Sequence, residues 1–286
     1  MSAPIHLALI GDGPLSTSLR THGAPLGRVR LVDPSNSAVE AVLVDLPRGE
    51  RIAEVVAALS AGRIVLCPPP VALDAAEMAE IEAAQRGGGG LLLPAGEIAH
   101  SPAGRRGLAE MAAPGFGALL SMFVAIRQPR GAGGDVIETS LPEALDVVLA
   151  AIPGAFTSVR VNAASLFGAE RDTAVILLRS ATNVVVTIEL SRCLPPTLPA
   201  PGLGEVEIDA MGTLQAVRIV PSAGAVRIYR DDGVAAAPWL DAPALALLSA
   251  VEAAFDGRVR SSDGVTRASR AMVLTRAIAD HAKVTS

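Results

Sequence analysis

The chain of 286 residues is half hydrophobic, and its 24 Lys and Arg against 29 Asp and Glu leave a formal charge of -5. Binding to nucleic acid or to an anionic membrane draws on clustered cations, which excludes both as electrostatic partners and leaves small-molecule chemistry as the expectation. Mean hydropathy is positive at +0.44, yet Gly, Pro or charge breaks every apolar run short of the roughly 20 residues a membrane span requires.

A chain of this length can form one large or two ordinary domains, each with its own core. With five Phe, one Tyr and one Trp, that core has to come from Ala, Val, Leu and Ile. The apolar start ends at Gly11 and Asp12 without the basic flank or cleavage site of a secretory signal, so a cytoplasmic protein is expected. Cys67 and Cys193 are too far apart for a metal or redox motif and read as buried apolar residues.

In chain order, Ile5 to Ile10, Val29 to Val32, Ala41 to Val44, Ile64 to Leu66 and Leu91 to Leu93 read as strands buried on both faces. Arg51 to Ser60 and Asp74 to Arg86 carry helical spacing, with Asp74 placed to cap the second. Such alternation specifies a parallel, doubly wound sheet. Past Pro114 the apolar runs lengthen and alternate: Ala118 to Arg127, Thr157 to Ala163, Thr173 to Leu178, Val184 to Leu190, Glu205 to Met211, Leu214 to Val220 and Ala225 to Arg230 predict a mostly antiparallel sheet. Helical spacing appears at Pro142 to Ala151, Ala242 to Phe255 and Val265 to Lys283. The segment Leu194 to Pro201 reads as a hairpin-like loop, and the runs Gly87 to Gly90 and Gly131 to Gly134 read as turns rather than phosphate cradles.

Gly11-Asp12-Gly13-Pro14-Leu15-Ser16 follows the first strand and opens a helix, the context in which a G-x-G turn lets a pyrophosphate approach a helix N-terminus. Asp33 ends the second strand where a carboxylate would accept from a ribose hydroxyl, favouring NAD over NADP. The alternative is a merely structural strand-turn-helix.

Together with this turn, the order and spacing of several segments resemble the Gfo/Idh/MocA family of oxidoreductases. Val39 to Pro47 is similar to the family's "vDaVvvaTP" strand and Ala61 to Leu73 to "aGkhVlvEKPlal". Gly90 to Pro102 is similar to the stretch leading into "Rf.P", Gly133 to Gly154 occupies the place of the "GG...D.G.H..D" helix, and Gly212-Thr213 and Ser269 to Ala282 match the "Gt.G" turn and the last helix. The resemblance implies a Rossmann-like dinucleotide-binding domain over 1–115 and an open-sheet α+β domain with helices on one face over 116–286. It also implies an NAD(P) cofactor contacted by Gly11, Gly13, Pro14, Leu15, Asp33, Leu46, Pro47 and Pro69, and a small polar or sugar-like substrate.

The departures bear on chemistry. Pro68-Pro69-Pro70 stands in register with the family's catalytic lysine, and proline has no ionisable group; the chain's one lysine is Lys283. Pro142 or Glu143 takes the place of the catalytic histidine, and Asp146 matches the nearby aspartate in one of two registers. Pro14 removes an amide from the turn. The short distance from Asp33 to the third strand implies that the elements on the adenine side of the sheet are deleted. Substitute proton carriers are His100, Glu143 and Asp146, beside Glu97, each set against a structural role. Arg127 and Arg130 could hold an anion or form surface salt bridges. Two functions follow: an NAD(P)-dependent oxidoreductase with an atypical site, or a catalytically inactive partner of an active homologue. Either would associate through the second sheet, as a homo-oligomer or a hetero-oligomer.

Overall fold

The computed structural model describes residues 3–22, 28–131, 133–167, 170–197, 204–221, 225–238, 243–257 and 261–284. In chain order the elements are β1 (Ile5–Ile10), α1 (Pro14–His22), β2 (Val29–Val32), β3 (Ala41–Val44), α2 (Ile52–Ser60), β4 (Ile64–Cys67), α3 (Ala75–Gly88), β5 (Leu91–Pro94), α4 (Glu97–His100) and α5 (Pro102–Ala112). There follow β6 (Leu119–Pro129), α6 (Val136–Thr139), α7 (Leu141–Ala151), β7 (Phe156–Ala164), β8 (Thr173–Ser180), β9 (Val185–Leu194), β10 (Glu205–Gly212), β11 (Ala216–Val220), β12 (Ala225–Arg230), β13 (Gly233–Pro238), α8 (Pro243–Phe255) and α9 (Ser261–Val284).

The chain divides into two compact units, Met1–Ser101 with Ala242–Met272, and Pro102–Asp241 with Val273–Ser286. The expected division at 115/116 is refined in one respect, because Ala242–Met272 returns to the first unit. The reason is burial. The first unit holds a parallel sheet in the order β2-β1-β3-β4-β5, with strands as short as four residues that are wholly buried, such as Ala41–Val44 and Ile64–Cys67. Such strands need cover on both faces. On one face Leu15 and Leu19 of α1 join Leu247, Leu248, Val251 and Ala254 of α8 against Ile5, Leu7, Leu9 and Leu43. On the other, α2 and α3 pack with Ala268 and Met272 of α9 against Ala8, Val42, Val44 and Val65.

On the side where the adenine-side elements were expected to be lost, β2 forms the edge of the sheet. Parallel strands ordinarily need a crossover of about a dozen residues or more, yet only residues 33–40 join β2 to β3. The stagger makes this sufficient. Val32 lies level with Ala8 and Ala41 level with Leu7, so the link steps back about one residue, roughly 3 Å, and across two strand spacings, roughly 10 Å. It is pinned on the way by the Glu40 amide, which donates to the His6 carbonyl at 3.0 Å.

The second unit is an eight-stranded sheet in the order β13-β12-β11-β10-β6-β9-β8-β7. All its pairings are antiparallel except β6 with β9. Because β6 lies between β9 and β10, the segment from Leu194 to Pro201 is not a hairpin; its second half lies outside the described residues. One face of the sheet, with Val124, Ile176, Ile188, Ile208 and Ile219 buried, is covered by α5, α6 and α7. On the other, Val175, Leu177 and Val185 are about two-fifths exposed beside a row of ion pairs across four strands: Glu189 to Arg127 at 3.1 Å, Arg127 to Glu207 at 3.5 Å, Glu207 to Arg218 at 3.4 Å and Arg218 to Asp209 at 2.7 Å. Among the described residues no helix is long and apolar enough to cross a membrane.

The cover supplied by α8 is testable. Leu247 is 2% exposed, and Leu247→Ala should cost about 2–5 kcal/mol of stability, measured as a lower urea midpoint. An unchanged midpoint would mean that α8 is not part of the first unit's core.

Candidate functional site

Open parallel sheets bind ligands beyond the carboxyl ends of their strands, and in the first unit this edge is built around Asp45. The turn after β1 passes through Gly11 at a φ of +95°, which a side chain rarely tolerates; a Cβ there would also stand 2.5 Å from the Asp45 carbonyl oxygen. Gly13 is required for a different reason. A Cβ on it would lie 2.2 Å from Asp45 Oδ1, so the carboxylate occupies the space this glycine clears. Asp45 Oδ2 accepts from the Ser16 amide at 2.8 Å, and the Asp45 carbonyl accepts from the Gly13 amide at 3.2 Å. With no acidic residue in its own first turn, α1 takes its N-terminal anion from the end of β3.

The other residues expected at the cofactor divide between this edge and the core. Pro14 is the first residue of α1, where a missing amide breaks no helical bond. The Leu15 side chain is buried in the core, so only its amide faces a ligand role. Asp33 lies just past β2, exposed, its Oδ1 accepting from the Ser35 amide at 2.8 Å and hydroxyl at 2.6 Å; these bonds hold its pKa below the ordinary carboxylate value. Leu46 is half-buried and Pro47 exposed after β3, and Pro69 is half-buried after β4.

The loops after β3 and β4 are joined by Arg51, 7% exposed. Its Nε and Nη2 donate to the Leu46 carbonyl at 3.1 and 2.7 Å, and its Nη1 to the carbonyls of Pro68 and Pro70 at 2.7 and 3.2 Å. The guanidinium is thus committed to backbone, and it holds the three prolines in place without offering a proton donor to a ligand. Burial pushes the neighbouring Cys67 thiol up to about 11, against the opposing pull of Arg51, so Cys67 is an inert core thiol.

At the end of β5, Glu97 and His100 open and close α4. The Nε2 of His100 lies 2.8 Å from the Pro94 carbonyl, which makes Nε2 the protonated nitrogen of the neutral ring. Burial, with a smaller push from the Asp45 charge, raises the Glu97 pKa. A carboxyl raised in this way at a ligand edge is suited to carry a proton.

In the second unit, Glu143 and Asp146 fall one turn apart on α7 and are 6% and 2% exposed; they are interior residues, with Glu143 in the first turn of the helix. The carbonyls of Gly133 and Gly134 accept from Arg192, so the Gly131 to Gly134 run presents acceptors to a cation and is no phosphate cradle. Arg127 is paired in the ion row, where Glu189 and Glu207 outweigh the cost of burial and raise its pKa. Arg130 stacks on Phe167 at 4.3 Å. Among the described residues no cluster of His, Cys, Asp or Glu could hold a metal ion.

Two residues of the first edge were not singled out by the sequence reading. Asp45 had a signal, a carboxylate directly after a wholly apolar strand. So did Arg51, a cation at a helix start, where the macrodipole disfavours it.

No family model and no curated protein matches the chain. Solved structures match it over nearly its full length. UDP-N-acetylglucosamine 3-dehydrogenase GnnA from Acidithiobacillus ferrooxidans is 19% identical with a TM-score of 0.79, covering 99% of each chain. An oxidoreductase from Agrobacterium radiobacter in complex with NAD+, L-tartaric acid and magnesium is 13% identical with a TM-score of 0.79, over 98% of this chain and 97% of that one. Levoglucosan dehydrogenase in complex with NADH and L-sorbose is 14% identical with a TM-score of 0.75, over 100% and 98%. The architecture is the two-part fold of Gfo/Idh/MocA-type oxidoreductases, so the resemblance read from the sequence holds at the level of fold.

The raised Glu97 pKa has a definite sign in stability. The folded state holds this proton more tightly than the unfolded chain, so the stabilisation it gives is complete at acid pH and is lost as pH rises from the ordinary value of 4.5 through the raised one. The melting temperature of Glu97→Gln minus that of the wild type should therefore grow between pH 4 and pH 7. A flat difference would place Glu97 in ordinary solvent.

Proposed function

We propose that the protein is an oxidoreductase of Gfo/Idh/MocA type that takes an NAD-type dinucleotide and a small polar, sugar-like substrate. The observation that carries this reading is the strand-turn-helix at Gly11 and Gly13, with Asp33 at the neighbouring strand end. The structural relatives lend support, being a sugar-nucleotide dehydrogenase and enzymes with NAD+ or NADH alongside L-tartaric acid or L-sorbose.

The turn keeps one backbone donor for a dinucleotide. The Leu15 amide at the start of α1 would face the diphosphate, and the ionised Asp33 would accept from the adenosine ribose and repel a 2′-phosphate. When bound, the cofactor supplies hydride transfer, and the chain's part is to orient the substrate and move a proton. With Pro69 at the lysine position, the proton falls to Glu97. His100, its Nε2 engaged by Pro94, fixes the segment that carries Glu97.

A second reading, an inactive partner subunit, is favoured by one observation: Pro68-Pro69-Pro70 leaves no ionisable group where the family's lysine stands. Under both readings the half-exposed Val175, Leu177 and Val185, flanked by the ion-pair row, are the surface through which copies or homologues associate.

The test is NADH formation from NAD with UDP-N-acetylglucosamine, levoglucosan, L-sorbose and myo-inositol. Turnover by the wild type with kcat reduced about 100-fold or more in Glu97→Gln is the expected result, and equal turnover would remove Glu97 from the chemistry. NADH binding without turnover on any polyol would favour the partner subunit.

A further inference from the structure

We infer that the Asp45 carboxylate stands in the place of the cofactor's diphosphate, as a built-in anion that competes with a dinucleotide for the N-terminus of α1. The inference rests on the dinucleotide reading proposed above and concerns how that site is regulated.

In a G-x-G turn the second glycine clears room for the backbone to approach a pyrophosphate. Here a Cβ on Gly13 would meet Asp45 Oδ1, Cγ and Oδ2 at 2.2, 2.3 and 2.5 Å; the cleared room holds a carboxylate of the chain itself. The donors are consumed as well. Of the turn from residue 13 to 16, the Gly13 amide goes to the Asp45 carbonyl and the Ser16 amide to its carboxylate, while Pro14 has no N–H. The Leu15 amide is the one that no acceptor among the described residues engages. The helix end is a partial positive charge of about one half, and Asp45, 6% exposed, already answers it with a full negative one. A diphosphate arriving there meets a like charge in a partly desolvated setting, where repulsion is strong.

Asp45 is held in this position by more than its side chain. Its amide donates to the Ile10 carbonyl at 2.8 Å, which fixes the end of β3 against the end of β1 and leaves only rotation of the carboxylate, or its neutralisation, as a way to open the site. The turn is closed from within by the chain's own carboxylate.

The experiment titrates NADH into the wild type, Asp45→Asn and Asp45→Ala, following nicotinamide fluorescence and thermal stabilisation together. Asparagine keeps an acceptor for the Ser16 amide and nearly the same volume while removing the charge, so it preserves the fold where alanine could loosen α1. The expected result is weak binding by the wild type and a gain of about ten-fold or more in both variants, larger for alanine because space is freed as well. Equal, micromolar binding by all three would overturn the inference and leave the dinucleotide reading standing. Failure of all three to bind at millimolar NADH would overturn both, since Asp45 would then not be what keeps the cofactor out.

Discussion

The first unit turns on the contact between the end of β3 and the start of α1. Asp45 takes part through its amide, its carbonyl and its carboxylate, with Ile10, Gly13 and Ser16 as partners. This one residue therefore sets the register of the β1 turn, the direction in which α1 leaves it and the charge at the helix end. Both glycines of the turn are required by its atoms, Gly11 by the carbonyl and Gly13 by the carboxylate. A fold-defining motif that elsewhere serves a ligand is here explained by the protein's own contacts.

The same economy governs the shortened sheet. With β2 at the edge of a five-stranded sheet, Ile5, Leu7 and Leu43 on one face need a lid. The stagger of β2 and β3 lets residues 33–40 replace a crossover helix, and α8 supplies the cover from the far end of the chain. Arg28 fastens this arrangement, its amide donating to Glu252 at 2.6 Å and its guanidinium pairing with Asp256 at 2.6 Å.

The strands and helices were legible because their apolar periods are regular; β1, β2, β3 and β12 fall within the bounds the pattern gave, and Asp74 caps α3 by accepting from the Ala76 and Glu77 amides. β13 escaped because Gly-Val-Ala-Ala-Ala-Pro carries neither β-branched enrichment nor alternation. The return of α8 to the first unit also escaped, since periodicity reports that a helix has an apolar face and not which sheet the face covers. At the site, local motifs placed Gly11, Gly13 and Asp33, but the roles of Asp45 and Arg51 depend on partners brought in from other loops. Asp45 reaches 29 positions back to Ser16, and Arg51 reaches 17 and 19 positions forward to Pro68 and Pro70.

The charge of the carboxyl edge follows from these commitments. Arg51 is the cation buried there, and its donors are spent on the carbonyls of Leu46, Pro68 and Pro70. Asp45 and Glu97 are acidic groups of the same edge, and burial, with a smaller push from the Asp45 charge, raises the pKa of Glu97. A proton held on Glu97 relieves that repulsion, so the state of the carboxyl is tied to what stands at the helix end. An anion bound beside α1 would raise the Glu97 pKa further, whereas its departure would lower it again. Asp45 at the helix end and Glu97 at the start of α4 are thus electrostatically coupled within a single unit.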